Sequence, residues 1–160
     1  PIECPMLWGA AAIVYFKDTS GKTHILLGKK VKKSGTVKAT FAGTLTPPAG
    51  MVEMRDFREH PILRIGGAAR ELQEETSISC QYRSGYMTIN SQEKLFSPDQ
   101  QLKVFVEIER CKPQAFILID VNIGRAKEFI PETLGFYTSE MCQSHDLSVE
   151  TKQAFHILEG

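Results

Sequence analysis

Three glutamates lie close together in the segment Arg70-Glu71-Leu72-Gln73-Glu74-Glu75-Thr76. Successive residues of an α-helix advance by about 100°, so Glu74 and Glu75 fall on either side of Glu71. The three carboxylates therefore share an arc of roughly 100° on one helix face. Like charges at this spacing repel each other, but a hard divalent cation reverses that repulsion. Mg²⁺ typically combines one or two carboxylates with substrate phosphates, so the pattern is typical of a metal site for phosphate chemistry.

The same acidic segment also has a purely structural interpretation. Glutamate-rich helices are often solvated faces, and Arg70 is placed to pair with Glu74 four residues later. Ile65, Ala68 and Leu72 fall beside the acidic arc, which places the carboxylates at the rim of the core. Both interpretations predict a helix here, and the helix alone does not decide between them.

A second segment upstream, Pro48-Ala49-Gly50-Met51-Val52-Glu53, adds the context that the helix lacks. Together the two segments resemble the two halves of the box of the Nudix hydrolase family, G-x5-E-x7-R-E-U-x-E-E-x-G-U, where U is a bulky aliphatic residue. Gly50 takes the place of the first glycine. The second half is matched by six residues: Arg70, Glu71, Leu72, Glu74, Glu75 and Ile78.

Three departures from the family pattern concern the loop and the end of the box. Asp56 stands where the pattern has Glu, and Ser77 stands where it has Gly. Thirteen residues rather than seven separate Asp56 from Arg70, so six are additional. Either Asp56 or Glu59 takes the place of the missing glutamate.

The additional residues fall within 57–66 and leave two alternatives for the helix. They lengthen the loop, so that the helix begins near Gly66, or they extend the helix back to Pro61. Proline suits the first turn of a helix, because its missing N–H would have no partner there. A Gly-Gly pair at 66–67 weakens a helix interior by about 1 kcal/mol per glycine.

The Nudix resemblance implies a cofactor, a site and a reaction. It implies that Glu71, Glu74 and Glu75, with the backbone carbonyl of Gly50, hold Mg²⁺ or Mn²⁺ against a diphosphate. The catalytic residues would be Glu74, Glu71 and Arg70, of which Arg70 orients a glutamate by a charge-assisted hydrogen bond. The implied reaction is hydrolysis of a phosphoanhydride bond in a nucleoside diphosphate linked to another group.

Two other functions share the fold that the resemblance implies. A nucleotide-binding module without catalysis is favoured by the altered Asp56 region and disfavoured by the intact glutamates. A diphosphate isomerase would need a further Cys and Glu, and no spacing in the chain requires such a pair. The substrate stays open among dinucleoside polyphosphates, nucleotide sugars, ADP-ribose and nucleoside triphosphates. Homodimers are common in the family.

Residues outside the box supply further candidates. A general base is expected on a later loop or strand, at Glu128, Glu132, Glu107 or Glu109. Three aromatic residues are candidates for stacking on a base, although core packing is their commoner role: Phe41, Phe136 and Tyr137. The substrate-selecting loops are expected at Lys29–Lys38, 57–66 and Asn90–Gln101.

Apolar runs and helical spacing predict the elements around the box. Strands are predicted at Trp8–Phe16, His24–Gly28, Phe41–Thr46, Ile78–Ile89, Leu102–Ile108, Ala115–Ile119 and Thr133–Thr138. Helices are predicted at Pro61–Thr76 and Leu147–Leu158, the second capped by Asp146 or Ser148. Pro47–Gly50 is predicted as a turn, and Asn90–Gln101 as a polar loop.

This order of elements predicts an α/β or α+β layered domain with a mixed sheet. The resemblance makes it a single Nudix-like domain over residues 1–160, an α/β/α sandwich with a mixed central sheet. The 19 basic and 19 acidic residues cancel, which argues against nucleic-acid and polybasic membrane partners. No apolar run reaches the roughly 18 residues of a membrane span. Four scattered cysteines are typical of reduced thiols and predict a cytoplasmic protein. The Nudix resemblance implies a small nucleotide as the substrate.

Overall fold

The computed structural model describes residues 9–29, 44–52, 63–76, 78–83, 86–89, 92–95, 97–107, 112–121 and 134–160. These ranges contain ten strands: β1 (Gly9–Lys17), β2 (Thr23–Lys29), β3 (Leu45–Thr46), β4 (Ala49–Met51), β5 (Cys80–Arg83), β6 (Tyr86–Ile89), β7 (Gln92–Leu95), β8 (Leu102–Glu107), β9 (Lys112–Asp120) and β10 (Leu134–Tyr137). Their helices are α1 (Leu63–Glu75), α2 (Pro98–Gln101) and α3 (Val149–Glu159), with a 3-10 turn at Met141–Ser144. The fold is mixed α+β, with a mixed central sheet and two long helices, as predicted.

The chain divides into two compact units. Described residues up to Ala12 and from Pro48 to Ile119 form the first unit, and the remaining described residues form the second. The single domain over 1–160 stays a prediction. No helix in the described ranges has the length and the apolar character to cross a membrane.

The first unit holds both halves of the box. Its strand β4 pairs antiparallel with the start of β1, where Gly50 lies opposite Ala10. Strands β5, β6 and β7 form an antiparallel meander, and β8 pairs antiparallel with β9. Helix α1 buries Ala68, Ala69 and Leu72 completely, so the predicted core positions of Ala68 and Leu72 are confirmed, while the side chain of Ile65 lies outside the described residues.

The start of helix α1 bears on the two alternatives for the additional residues, a helix from near Gly66 or one from Pro61. It begins at Leu63 and runs through the buried Gly66 and Gly67, so the start near Gly66 is wrong. Its end is fixed by Thr76, whose hydroxyl donates to the Leu72 carbonyl at 2.6 Å and accepts from the Ile78 N–H at 3.0 Å.

The second unit is built on the hairpin of β1 and β2. Strand β2 pairs antiparallel with β1, with β10 and with the short β3. Ser148 rather than Asp146 caps α3, since its hydroxyl accepts from the Thr151 N–H at 3.1 Å. The helix buries Thr151, Ala154 and Phe155.

Two predicted connections are wrong in the described ranges. The stretch predicted as a polar loop at Asn90–Gln101 contains β7 and α2. Strand β7 has no apolar alternation and forms by pairing with β6. The turn predicted at Pro47–Gly50 ends at Pro48, because the next residues belong to β4. Within the predicted loop Lys29–Lys38, residues 30–38 lie outside the described ranges.

Candidate active site

Arg70 lies at the centre of the candidate site and is only 8% exposed. Its Nη1 donates to Glu71 Oε1 at 3.0 Å and to Glu74 Oε2 at 3.2 Å, and its Nη2 donates to the Met51 carbonyl oxygen at 2.8 Å. The planar guanidinium carries five N–H donors, so it binds several acceptors in a fixed geometry. The arginine thereby joins helix α1 to strand β4.

Gly50 lies directly against the Glu71 side chain. A Cβ atom added to Gly50 would overlap the Glu71 carboxyl group. A side chain at position 50 would therefore displace the flexible end of Glu71, whereas the backbone angles of Gly50 do not call for glycine. The first glycine of one sequence segment and the first glutamate of the other are neighbours in space.

The three glutamates differ in exposure. The Glu71 side chain is 13% exposed and the Glu74 side chain 47% exposed, and Glu75 is also exposed. Arg70 thus holds one nearly buried and one half-exposed carboxylate at the rim of the core. The two carboxylates are close to each other, because both pair with Nη1 of Arg70.

Solved structures with this fold carry names that match the resemblance of the sequence. The superposition on the NUDIX domain of Shewanella oneidensis NrtR complexed with ADP ribose covers 96% of this chain and 86% of that one. Its TM-score is 0.59 and the sequence identity is 11%. It matches a binary complex of a C. elegans Ap4A hydrolase at a TM-score of 0.57 and 16% identity, over 96% of this chain and 95% of that one. A NUDIX hydrolase from Alicyclobacillus acidocaldarius matches at a TM-score of 0.59 and 10% identity, over 97% of this chain and 92% of that one. The chain has the Nudix fold.

The likeness to these Nudix structures is one of fold, because identities of 10–16% carry no activity with them. Neither a family model nor a curated protein matches the sequence. Function therefore has to be argued from the site itself.

The residues that resemble the Nudix box fit a divalent cation by the chemistry of their donors. Glu71 and Glu74 supply hard carboxylate oxygens, the ligand type that Mg²⁺ prefers. Within the described ranges, no three His, Cys, Asp or Glu side chains are grouped closely enough to hold a metal ion by themselves. Mg²⁺ usually keeps several waters and uses one or two carboxylates, so two glutamates suffice.

The other candidates of the Nudix interpretation are only partly described. Seven predicted positions lie outside the described ranges: Phe41, Glu53, Asp56, Glu59, Glu109, Glu128 and Glu132. Glu107 ends strand β8. Phe136 packs edge-on against Phe16, with ring centroids 4.9 Å apart, and Tyr137 packs against His145 at 6.0 Å.

Two hydrogen bonds of the helix were not predicted from the sequence. The first is the bond from Arg70 to the Met51 carbonyl, which joins residues nineteen positions apart. The second joins Gln73 Nε2 to the Cys80 carbonyl at 2.9 Å. Backbone acceptors carry no signal in residue type, so no pattern in the sequence identifies them.

Proposed function

We propose that the protein is a Mg²⁺-dependent hydrolase that cleaves a phosphoanhydride bond in a nucleoside diphosphate linked to another moiety. One observation carries the proposal: Arg70 brings Glu71 and Glu74 together and binds them to the strand that holds Gly50. The two half-motifs of the sequence thereby become one site. The fold supports the same class of chemistry, since hydrolases are among its structural neighbours.

The glutamates and Arg70 have different roles in this proposal. Glu71 and Glu74, with the Gly50 carbonyl, would hold the cation, and Glu75 on the same helix face would hold it through a bound water. The cation supplies charge neutralisation and an activated water when bound. Arg70 is nearly buried and already binds three acceptors, so it positions the glutamates and does not reach the substrate. Two carboxylates fixed by one guanidinium need no reorganisation when the ion arrives.

The charge of the site makes the cation a requirement for this activity. The carboxylates of Glu71 and Glu74 repel the phosphate groups of a substrate at close range, because like charges repel each other. A divalent cation bound to these carboxylates would attract the phosphate groups instead. We therefore expect no measurable turnover after chelation, and recovery when Mg²⁺ or Mn²⁺ is added back.

The compartment and the substrate class are further parts of the proposal. Cys80 and Cys142 are buried free thiols, and burial raises the pKa of Cys80 to about 12. We place the protein in a reducing compartment, the cytoplasm, because the described cysteines are free thiols rather than a disulfide. Because the S. oneidensis domain is complexed with ADP ribose and the C. elegans protein is an Ap4A hydrolase, both compounds belong in the test.

The experiment is a substrate panel with and without millimolar Mg²⁺, analysed by chromatography and by mass spectrometry in ¹⁸O water. The panel contains ADP-ribose, Ap4A, a nucleotide sugar, a nucleoside triphosphate and an allylic diphosphate. We expect two phosphorylated products from at least one nucleotide, with ¹⁸O in one of them. Glu74→Gln protein purified in parallel controls for contaminating phosphatases. Equal turnover by both preparations would contradict the proposal.

A binding module without catalysis is the second candidate, and one observation favours it. Arg70 already pairs with Glu71 and Glu74, and the described residues hold no three-acid metal group. This alternative predicts that ADP-ribose binds intact, with an affinity that chelation leaves unchanged. Calorimetry with ADP-ribose, followed by analysis of the recovered ligand, separates the two functions. The isomerase would instead convert the allylic diphosphate without incorporating ¹⁸O.

A further inference from the structure

Strand β8 carries three consecutive exposed apolar residues. Val104 is 40% exposed, Phe105 37% and Val106 63%. Strand β9 is its neighbour on one side, and among the described strands β8 ends its sheet on the other. An edge strand presents unpaired N–H and C=O groups, and apolar side chains beside them form a template for another strand.

We propose that β8 pairs antiparallel with β8 of a second copy of the chain, about a two-fold axis at Phe105. In that register each Phe105 faces its counterpart, and each Val104 faces a Val106. The pairing supplies about four to six backbone hydrogen bonds. The number depends on whether the two Phe105 residues form a hydrogen-bonded or a non-hydrogen-bonded pair. Closed two-fold pairing also removes the exposed edge from both copies.

The charges flanking the apolar residues indicate a second copy as the occupant. Centred on Phe105, the register places the lysine at 103 opposite the glutamate at 107 of the other chain, twice. Opposite charges that face each other across two strands stabilise their pairing. An axis at Val104 would place Lys103 opposite Phe105 instead, and an axis at Val106 would place Glu107 there. The sequence of β8 is therefore self-complementary in one register.

The packing on β9 continues into the proposed interface. The Phe105 ring contacts the buried Phe116 edge-on, with centroids 5.8 Å apart. A second Phe105 would extend this aromatic pair across the two-fold axis. On the opposite face, Val104 and Val106 lie beside the small residues Ala115 and Pro113 of β9. Small neighbours leave these valines accessible to the strand of another copy.

The first test measures the oligomeric state by sedimentation velocity over a range of micromolar concentrations. We expect a dimer, weakened at least about tenfold by Val106→Lys, which adds a charge at the most exposed position. Val149→Lys is the matched control, because Val149 is 49% exposed on α3. A monomeric wild-type protein, or equal dissociation constants for Val106→Lys and wild type, would overturn the proposal.

A charge exchange tests the register independently of apolar area. Lys103→Glu places like charges opposite each other and is expected to weaken the dimer. Lys103→Glu combined with Glu107→Lys restores opposite charges and the wild-type affinity. Failure of the double variant to recover any affinity would rule out this register. Circular dichroism melts of each variant show that a lost dimer is not a lost fold.

Disulfide trapping locates the two-fold axis. Facing Cα atoms in an antiparallel pair lie about 4.5–5.5 Å apart, within the range that a disulfide spans. Phe105→Cys is expected to form a covalent dimer on mild oxidation, above the level of the wild-type protein. Lys103→Cys alone is expected to stay uncrosslinked, and to crosslink when mixed with Glu107→Cys. Faster self-crosslinking by Lys103→Cys than by Phe105→Cys would contradict the axis.

Discussion

Two polar clusters in the molecule have opposite ratios of hydrogen-bond donors to acceptors. In the cluster on α1, one buried guanidinium is surrounded by acceptors: two carboxylates and a backbone carbonyl. In the turn between β1 and β2, one carboxylate is surrounded by donors. Asp18 accepts from the Ser20 N–H at 2.9 Å, the Ser20 hydroxyl at 2.7 Å, the Lys22 N–H at 3.0 Å and His24 Nε2 at 2.9 Å.

The Asp18 cluster is complete without any added ion. The hydrogen bond from the Ser20 hydroxyl, followed by that from His24, holds the pKa of Asp18 well below its ordinary value. The ring of His24 also stacks on Phe16, with centroids 4.6 Å apart. These contacts fix the turn, so a structural role accounts for every partner of the carboxylate.

In the Arg70 cluster, the Glu71 and Glu74 carboxylates accept from the same guanidinium nitrogen, so their negative charges lie close to each other. A bound cation would lower the repulsion between Glu71 and Glu74, whereas a cation at Asp18 would have to displace existing donors. The number of acidic residues therefore does not identify a metal site. The donors and acceptors around the acidic residues are more informative.

The largest effect is expected from removing the charge of Glu74 or Glu75. Glu74→Gln and Glu75→Gln each lower kcat by about 10²-fold or more, because the cation loses a direct or a water-mediated contact while the helix stays folded. Glu159→Gln, an exposed helical glutamate on α3, is the control and keeps wild-type turnover. Turnover at saturating Mg²⁺ and circular dichroism check both halves of this prediction. Full activity in both site variants would remove the metal assignment.

A smaller effect is expected when the Glu71 carboxylate is displaced without being removed. The Cβ atom of Gly50→Ala occupies the position of the Glu71 carboxyl group, so turnover falls by about 10²-fold at most. The Tm should change little, since the atoms that move belong to the end of a flexible side chain. Gly135→Ala is the matched control, because its Cβ would meet Tyr137 at an ordinary 3.5 Å. Equal turnover in Gly50→Ala and Gly135→Ala would show that the contact between Gly50 and Glu71 has no part in activity.

Arg70→Lys tests whether the planar guanidinium is needed to hold Glu71, Glu74 and the Met51 carbonyl together. A lysine ammonium cannot reach both carboxylates and the Met51 carbonyl with the guanidinium geometry. We expect a 10- to 100-fold loss of Mn²⁺ affinity or activity, of the size that supporting residues of metal sites give. Assays well below the Tm of both proteins separate positioning from stability. Unchanged Mn²⁺ affinity would show that Arg70 serves only to pack the helix.

The smallest effect is expected in the donor-rich cluster. Asp18→Asn should leave turnover unchanged and lower the Tm by less than about 4 °C at neutral pH. The pKa of Asp18 is lower in the folded protein than its value of about 4 in the unfolded chain, so the ionised carboxylate stabilises the fold at pH values above about 4. This contribution is lost as the pH falls below about 4. The Tm difference between the two proteins should therefore narrow on acidification below pH ~4. A difference that stays constant down to pH ~2 would contradict this role.

Local periodicity predicted the parts of the site that lie on one element. The 100° advance of a helix placed Glu71, Glu74 and Glu75 on one face, and it placed Ala68 and Leu72 in the core. The family resemblance, rather than any period, implied that Gly50 and Glu71 belong to one site, and the direct contact between them was not predicted. The bond from Arg70 to the Met51 carbonyl has no signal in the sequence, because the acceptor is backbone.

The fold was predicted where apolar patterns are strong and missed where pairing decides. Strands β1, β2 and β9 contain continuous apolar runs, and their existence is confirmed. Strand β7, Gln-Glu-Lys-Leu, has no such run and depends on β6 as its partner. Strand β4 follows two prolines that are typical of a turn, yet it pairs with small residues of β1.

Mn²⁺ titration followed by electron paramagnetic resonance tests the central claim most directly, since it needs no knowledge of the substrate. Wild-type protein is expected to bind Mn²⁺ with micromolar to millimolar affinity, and Asp18→Asn should bind it equally well. The double variant Glu71→Gln, Glu74→Gln should show no binding at the same concentrations. Binding that survives in the double variant, or is absent from the wild type, would contradict a cation site at the Arg70 cluster.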